Sequence, residues 1–456
     1  MTATAPATAP ARPGWIADWR PDDEDFWRAT GKRTAGRNLL WSVVAEHLGF
    51  SVWVMLSIVT PYLAVAGFDF TVGQLFWLTA VPNLVGSLLR IPYTAAVAVF
   101  GGRNWTVISA GLLVIPTALL AHCLTTPGTP YWMFLLAGAT AGFGGGNFAS
   151  SMANISYFYP ERHRGAALGV NAAGGNIGVP AVQFTGPFVI GVGLVGVSQA
   201  DGLWLHNVPL LWLALAVAAA VMAWRRMDNL AVARTPIREQ LPALARRHTW
   251  IMSALYVGTF GSFIGYSFAF PLVIKIEFPA FDSLWIAALG PLVGSLARPL
   301  GGWLADRRAG APITSLSFCA MGAGVVGAIA GVETGSFPLF FASFMVLFLM
   351  SGVANGSTYR SIPAIFQAEA GGGATADVLA AKRLTAAALG WISAIGAFGG
   401  FLINQGLRIS NEATGSVVAA MYAFLAAYAV LLVLNWWCYQ RTVFVERSPS
   451  LAHAKV

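Results

Sequence analysis

Leu84 to Arg90 reads L-V-G-S-L-L-R, and roughly two hundred residues later Leu292 to Arg298 reads L-V-G-S-L-A-R. Each string sets a permanently charged guanidinium inside an apolar run. An arginine at bilayer depth costs at least ~2.5–3.5 kcal/mol on insertion scales, so it faces a protein interior or an aqueous cavity and has a task there. Two such arginines at equivalent places in two halves predict one anion site built from both.

The composition around these strings sets the class. The chain has 456 residues, of which 57% are hydrophobic and 10% charged, and its mean hydropathy is +0.66. Those values lie far outside the range of soluble domains. Apolar runs of about 20 to 28 residues recur along the whole length, each enough to cross a ~30 Å hydrocarbon core at the helical rise. They predict an all-α membrane protein with twelve spans, near 39–65, 73–100, 105–124, 131–159, 165–195 and 208–224, then 250–274, 284–304, 312–332, 337–366, 384–407 and 416–439. The domain reading is a segment 1–38 with interfacial aromatics, a six-helix half 39–224, a polar linker 225–249, a second half 250–439 and a tail 440–456. The Thr/Ala/Pro-rich leader at the start reads as disordered, and Trp15, Trp19, Phe26 and Trp27 read as aromatics lying at the membrane interface.

The net charge of +8 is explained by loop asymmetry rather than by a nucleic-acid partner. With both ends on one side, the outward loops hold only Lys275 and Arg408 of the 27 basic residues. That imbalance predicts cytoplasmic amino and carboxyl termini in a cell membrane, and the Ala and Arg usage suggests a bacterial source. Arg360, near the inner end of the tenth span, reads as snorkelling to the interface. Cys123, Cys319 and Cys438 are odd in number and far apart, so they argue for neither a disulfide framework nor a metal cluster. No nucleophile and base pair or phosphate loop is present, so the chain reads as a non-enzyme without a cofactor.

The halves repeat each other beyond the arginines. A-A-L-G at Ala166 to Gly169 is matched by A-A-L-G at Ala387 to Gly390, each followed by more glycines. Small residues four apart let membrane helices approach closely, and internal duplication with a site at the midplane is a common transporter plan.

The loop G-W-L-A-D-R-R-A-G, Gly302 to Gly310, resembles the loop signature of the major facilitator superfamily. G-N-F-A-S-S-M-A-N-I-S-Y-F-Y-P from Gly146, G-A-A-L-G-V-N-A-A-G-G-N-I-G from Gly165 and A-A-L-G-W-I-S-A-I-G-A-F-G-G from Ala387 resemble the glycine-rich signatures of its NarK-type nitrate/nitrite porters. The resemblance extends over nearly the whole chain, including A-D-W-R-P near the amino end and T-F-G-S-F-I-G-Y-S from Thr259. It implies the major facilitator fold, two six-helix halves working as a monomer, and a substrate of nitrate or nitrite. It also implies that Arg90 and Arg298 hold the anion, that Phe50, Phe148 and Phe260 wall it, and that Tyr256 and Asn176 donate hydrogen bonds. Gly169, Gly174 and Gly178 and their counterparts Gly390, Gly396 and Gly400 would form the gating and packing surfaces on which the halves rock.

Chemistry agrees with this substrate class. Nitrate is flat, singly charged and rich in acceptors, and guanidinium is a planar fork of donors that stays protonated. Two readings of Arg90 stand at this point, a substrate ligand and a structural ion pair with Glu46. Glu46 and His47 also bear on energy coupling. Importing an anion against an inside-negative potential costs ~2.3 kcal/mol per charge per 100 mV, so Glu46 predicts proton-coupled import. Nitrate/nitrite exchange without protons, and a membrane receptor that binds nitrate without moving it, are the alternatives.

Overall fold

The computed structural model describes residues 15–200, 202–231, 237–281, 283–369, 375–443, 450–452 and 456; the leader expected to be disordered lies outside them. Twelve long helices follow in the order expected. They are α1 Glu24–Tyr62, α2 Val72–Phe100 and α3 Gly102–Thr125, α4 Tyr131–Phe158, α5 Glu161–Ile190 and α6 Asn207–Arg226. The second half adds α7 Arg247–Glu277, α8 Leu284–Arg308, α9 Gly310–Glu333 and α10 Phe337–Glu369, then α11 Thr375–Thr414 and α12 Val418–Tyr439. Among the described residues, ten are long and apolar enough to cross a membrane by length and composition alone. The other two, α4 and α5, are the helices whose glycines, serines and asparagines dilute their hydropathy. With an even number of helices, both ends of the chain fall on one face of the bundle, called here the terminal face.

Local chemistry sets the helix ends. Thr71 and Gln74 close a reciprocal capping box at the start of α2, with bonds of 3.2 and 2.9 Å, which satisfies two orphan donors. α5 stops at Ile190 rather than near 195, because Gly191, Gly193 and Gly196 follow and Gly196 turns at φ +70. The two halves end their second helices alike, each eleven residues past its arginine. Gly101 leaves α2 at φ 87, ψ 153, and Ala309 leaves α8 at φ 72, ψ 152. That region is open to glycine and costs any other residue ~1–3 kcal/mol. Ala309→Gly is therefore expected to stabilise the protein by about that amount, seen as a higher Tm in a thermal melt with unchanged helicity; an unchanged or lower Tm would contradict it.

The segment before the first span does not float at the interface. Trp15–Ile16 pairs in parallel with Asn229–Leu230 just after α6. Trp19 and Trp27, expected among membrane-interface aromatics, are buried. The Trp19 indole N–H donates to the Tyr157 carbonyl at 3.0 Å and its ring packs edge-on against Phe158, so protein supplies the polar partner that the interface would otherwise offer. Arg37 and Asn38 both bond Asp228, at 2.6 and 2.7 Å. At the other end, the Leu451 N–H donates to the Cys438 carbonyl and the Ala311 N–H to the Val456 carbonyl, at 2.9 and 3.0 Å. The linker between α6 and α7 spans 227–246 and includes a 3₁₀ turn, Ile237–Ala245.

In the first half the second and fourth helices, α2 and α4, pack most closely, and in the second half α10 packs about equally on α8 and α9. Between halves the main contacts are α2 on α11 and α5 on α8. Those last two pairs bring the repeated arginines toward each other.

Candidate functional site

Arg90 is fully buried. Its Nε donates to the Gly145 carbonyl at 3.2 Å, and its Nη1 reaches across to the other half, to the Ser393 carbonyl at 3.1 Å and Oγ at 2.6 Å. Its Nη2 has no partner. Arg298 is buried too, with Nη1 unpartnered. Phe148 lies between the two guanidinium groups, 4.8 Å from that of Arg90 and 5.5 Å from that of Arg298. Phe260 stacks on Phe148 and Tyr256 stacks on Phe260, while Phe50 meets Phe148 edge-on at 6.2 Å. The ring stack gives the cations cation–π partners and excludes water.

The helix geometry explains why these residues converge. α7 carries a π-helical turn at Val257–Gly261, the kind of local widening that occurs at functional sites, and it presents Phe260. Asn176 meets the second half through its backbone carbonyl, which accepts from Ser295 Oγ at 3.3 Å. Its side-chain nitrogen and oxygen, and the Tyr256 hydroxyl, have no hydrogen-bond partner. The structure thus gathers Arg90, Arg298, Phe50, Phe148, Phe260, Tyr256 and Asn176 around the junction of the halves.

Among the described residues no carboxylate lies within ion-pair distance of either arginine. The Glu46–Arg90 ion pair, open on sequence grounds, is absent. Glu46 instead accepts from Ser151 Oγ at 2.5 Å and Asn171 Nδ2 at 2.7 Å, and its Oε1 has no partner. Two buried cations without an anion are costly unless one is supplied. Their free donors sit where a small planar anion could accept bonds from both halves.

The duplication reaches this cluster. A Cβ on Gly175 would strike the Glu46 carboxylate, and a Cβ on Gly396 would strike the Tyr256 ring. Those glycines stand six residues past Gly169 and Gly390, and Phe50 and Phe260 stand four past Glu46 and Tyr256. Glu46 therefore occupies in the first half the place that Tyr256 occupies in the second.

Several expectations need correction. His47 does not join the central cluster: its Nδ1 lies 3.2 Å from the Gly174 carbonyl, and the ring lines a lateral groove against α6. The two residues are adjacent in sequence but turned a hundred degrees apart on the helix, which separates them. The glycines do not form one sliding surface between halves. Gly174 and Gly178 abut Val43 and the His47 carbonyl of α1, and Gly396 abuts Tyr256 of α7, each within its own half. Gly400 alone of the six touches the other half, at Asn83. Gly169 and Gly390 have nothing within 4 Å of an added Cβ, and Gly169 is exposed. Arg360 pairs with Asp306 instead of snorkelling, tying α10 to α8.

Hydrogen bonds join the halves at Arg90–Ser393, Ser295–Asn176, Thr79–Asn404 and Gln183–Ser267. Each lies at the arginine level or further from the terminal face, so the halves are held together on the far side. Ser393 and Tyr359, whose ring lies 5.5 Å from the Arg298 guanidinium, were not singled out in the sequence. Tyr359 could have been found, since it follows Asn355 as Ser151 follows Asn147. Ser393→Ala removes one charge-assisted bond worth ~1.5 kcal/mol or more and is expected to weaken anion binding about tenfold, measured by calorimetric titration; unchanged affinity would deny Ser393 a positioning role.

Comparison with known proteins fits this geometry. The family profile of the Major Facilitator Superfamily matches residues 39–404. Solved structures of a bacterial homologue of the lysosomal transporter Spinster share the fold, the inward-facing occupied form at TM-score 0.63 and 16% identity over 87% of this chain and 95% of that one. The chain belongs to the Major Facilitator Superfamily. It is 43% identical to the nitrate/nitrite transporter NarU of Escherichia coli over 95% of this chain and 97% of that protein. It is 36% identical to a probable nitrate/nitrite antiporter, NarK2, of Thermus thermophilus over 94% and 98%. Within the superfamily it therefore belongs to the NarK-type nitrate/nitrite porters.

Proposed function

We propose that this chain carries nitrate and nitrite across the bacterial cell membrane by alternating access, as a monomer whose terminal face is cytoplasmic. The observation that carries this reading is the pair of buried guanidinium groups, one from each half, each with a free donor and, among the described residues, neither with a carboxylate partner. An anion that accepts from both couples the halves through its own bonds, so its arrival favours a different closure of the interface than its absence. The aromatic stack suits a flat, weakly hydrated anion. The orientation rests on the concentration of basic residues at the terminal face.

The energy source we propose is the proton gradient, with Glu46 as the proton carrier. Glu46 is buried, bonded only to neutral groups and left with one free oxygen, and it stands in the place of a tyrosine in the other half. Nitrate uptake into proteoliposomes that are empty or nitrite-loaded, with and without a proton gradient, tests both statements. Gradient-dependent uptake into empty vesicles is expected, with Glu46→Gln losing that dependence and keeping nitrate/nitrite exchange. Uptake confined to nitrite-loaded vesicles would make the chain an exchanger, and binding without flux of either anion would overturn transport altogether.

A further inference from the structure

The lateral surface of the first half carries a groove of about 410 Å³ between α1 and α6. Val44, His47 and Leu48 line it from α1, and Leu215, Ala218 and Met222 from α6. Leu215 is 40% exposed, so the groove opens sideways, at the depth of the hydrocarbon.

Its end at the terminal face is basic. Residues three and four apart share a helix face. Along α6, Leu215, Ala218 and Met222 continue at those steps to Arg225 and Arg226. Along α1, Leu48, Val44 and Trp41 continue at the same steps to Arg37 and Arg33. The two basic ends lie side by side, because Arg37 and Asn38 bond Asp228, two residues past α6. Arg37 is held by that carboxylate, whereas Arg33, Arg225 and Arg226 are exposed and, among the described residues, have no ion-pair partner. Trp41 and the exposed Trp224 stand at the same level, as aromatics do beside head groups.

An apolar channel at membrane depth that ends in unpaired guanidinium groups has the complement of one amphiphile. Guanidinium forks pair with phosphate oxygens, and basic pockets between membrane helices take anionic head groups. We propose that the α1–α6 groove binds one anionic phospholipid, its acyl chain along Leu48, Leu215 and Met222 and its phosphate between Arg33, Arg225 and Arg226. The site lies apart from the buried arginines. Because it spans α1 and α6, its occupant braces the first half as that half turns against the second.

The full-length protein, released from mixed micelles containing equal phosphatidylglycerol and phosphatidylcholine, tests this by native mass spectrometry. Wild type is expected to retain phosphatidylglycerol at least tenfold over phosphatidylcholine. Arg225→Gln with Arg226→Gln should bring the two lipids to parity. Ala218→Trp, which fills an exposed part of the groove, should remove the retained lipid while leaving both arginines, and it decides the matter if the double variant does not fold. Equal retention of the two lipids by wild type, or a preference unchanged in the folded variants, overturns the proposal.

Discussion

Replacing Arg90 or Arg298 with lysine is expected to lower nitrate affinity and flux by roughly 10- to 100-fold, and replacing both to abolish flux. Lysine keeps the charge, so the loss measures geometry. Arg90 spends Nε on Gly145 and Nη1 on Ser393, which leaves Nη2 for a ligand. An ammonium gathers its three donors on one nitrogen and cannot reach the Gly145 carbonyl, Ser393 and an anion, which the guanidinium meets from three separate nitrogens. Each lost bond to a charged group is worth ~1.5–3 kcal/mol, and ~1.4 kcal/mol is tenfold. Flux into proteoliposomes and anion titration of the purified protein read the effect. Single lysine variants within threefold of wild type would remove the two guanidinium groups from the site.

Gly356→Val is expected to be nearly as damaging without touching the ligand. A Cβ at Gly356 would collide with the Arg298 carbonyl and stand 2.7 Å from the Gly302 nitrogen. Both are backbone atoms of α8, so no side chain can swing aside. Overpacking of this kind costs ~1–3 kcal/mol, and the displaced helix is the one that carries Arg298. A misplacement of about 1 Å at a reacting or binding group can cost ~100-fold. The variant should therefore show a lower Tm and a much weaker nitrate response together. Gly169→Ala, whose added Cβ meets nothing within 4 Å, is the control that should change neither; normal transport by Gly356→Val would show that α8 can yield.

These two cases mark what could be read before the fold was known. The bilayer forces most helices to declare themselves by length and hydropathy, ten of the twelve here, and a guanidinium at that depth declares itself by cost; α4 and α5 were legible by length and by the duplicated layout instead. The duplicated strings also located the halves. Partners across helices were not legible, because they depend on rotation about each helix axis. Ser393 is one serine among many, yet it carries one of the bonds between the halves and holds Arg90. The glycine runs revealed close packing but not its neighbour: Gly174, Gly178 and Gly396 pack within a half, and the sliding surface inferred from them does not form. His47 fell out of the site for the same reason, and Trp19 was misplaced because its indole partner, Tyr157, is 138 residues away.

The anchored ends have a practical consequence. The segment at Trp15–Ile16 is laced to residues just after α6, and Leu451 and Val456 are bonded to Cys438 and Ala311. Each of these two described segments is thus riveted to a different lobe and travels with it. Fluorophores attached beside these two points form a molecular protractor, and the energy transfer between them would follow the swing of one lobe against the other in real time, with no probe near the permeation route.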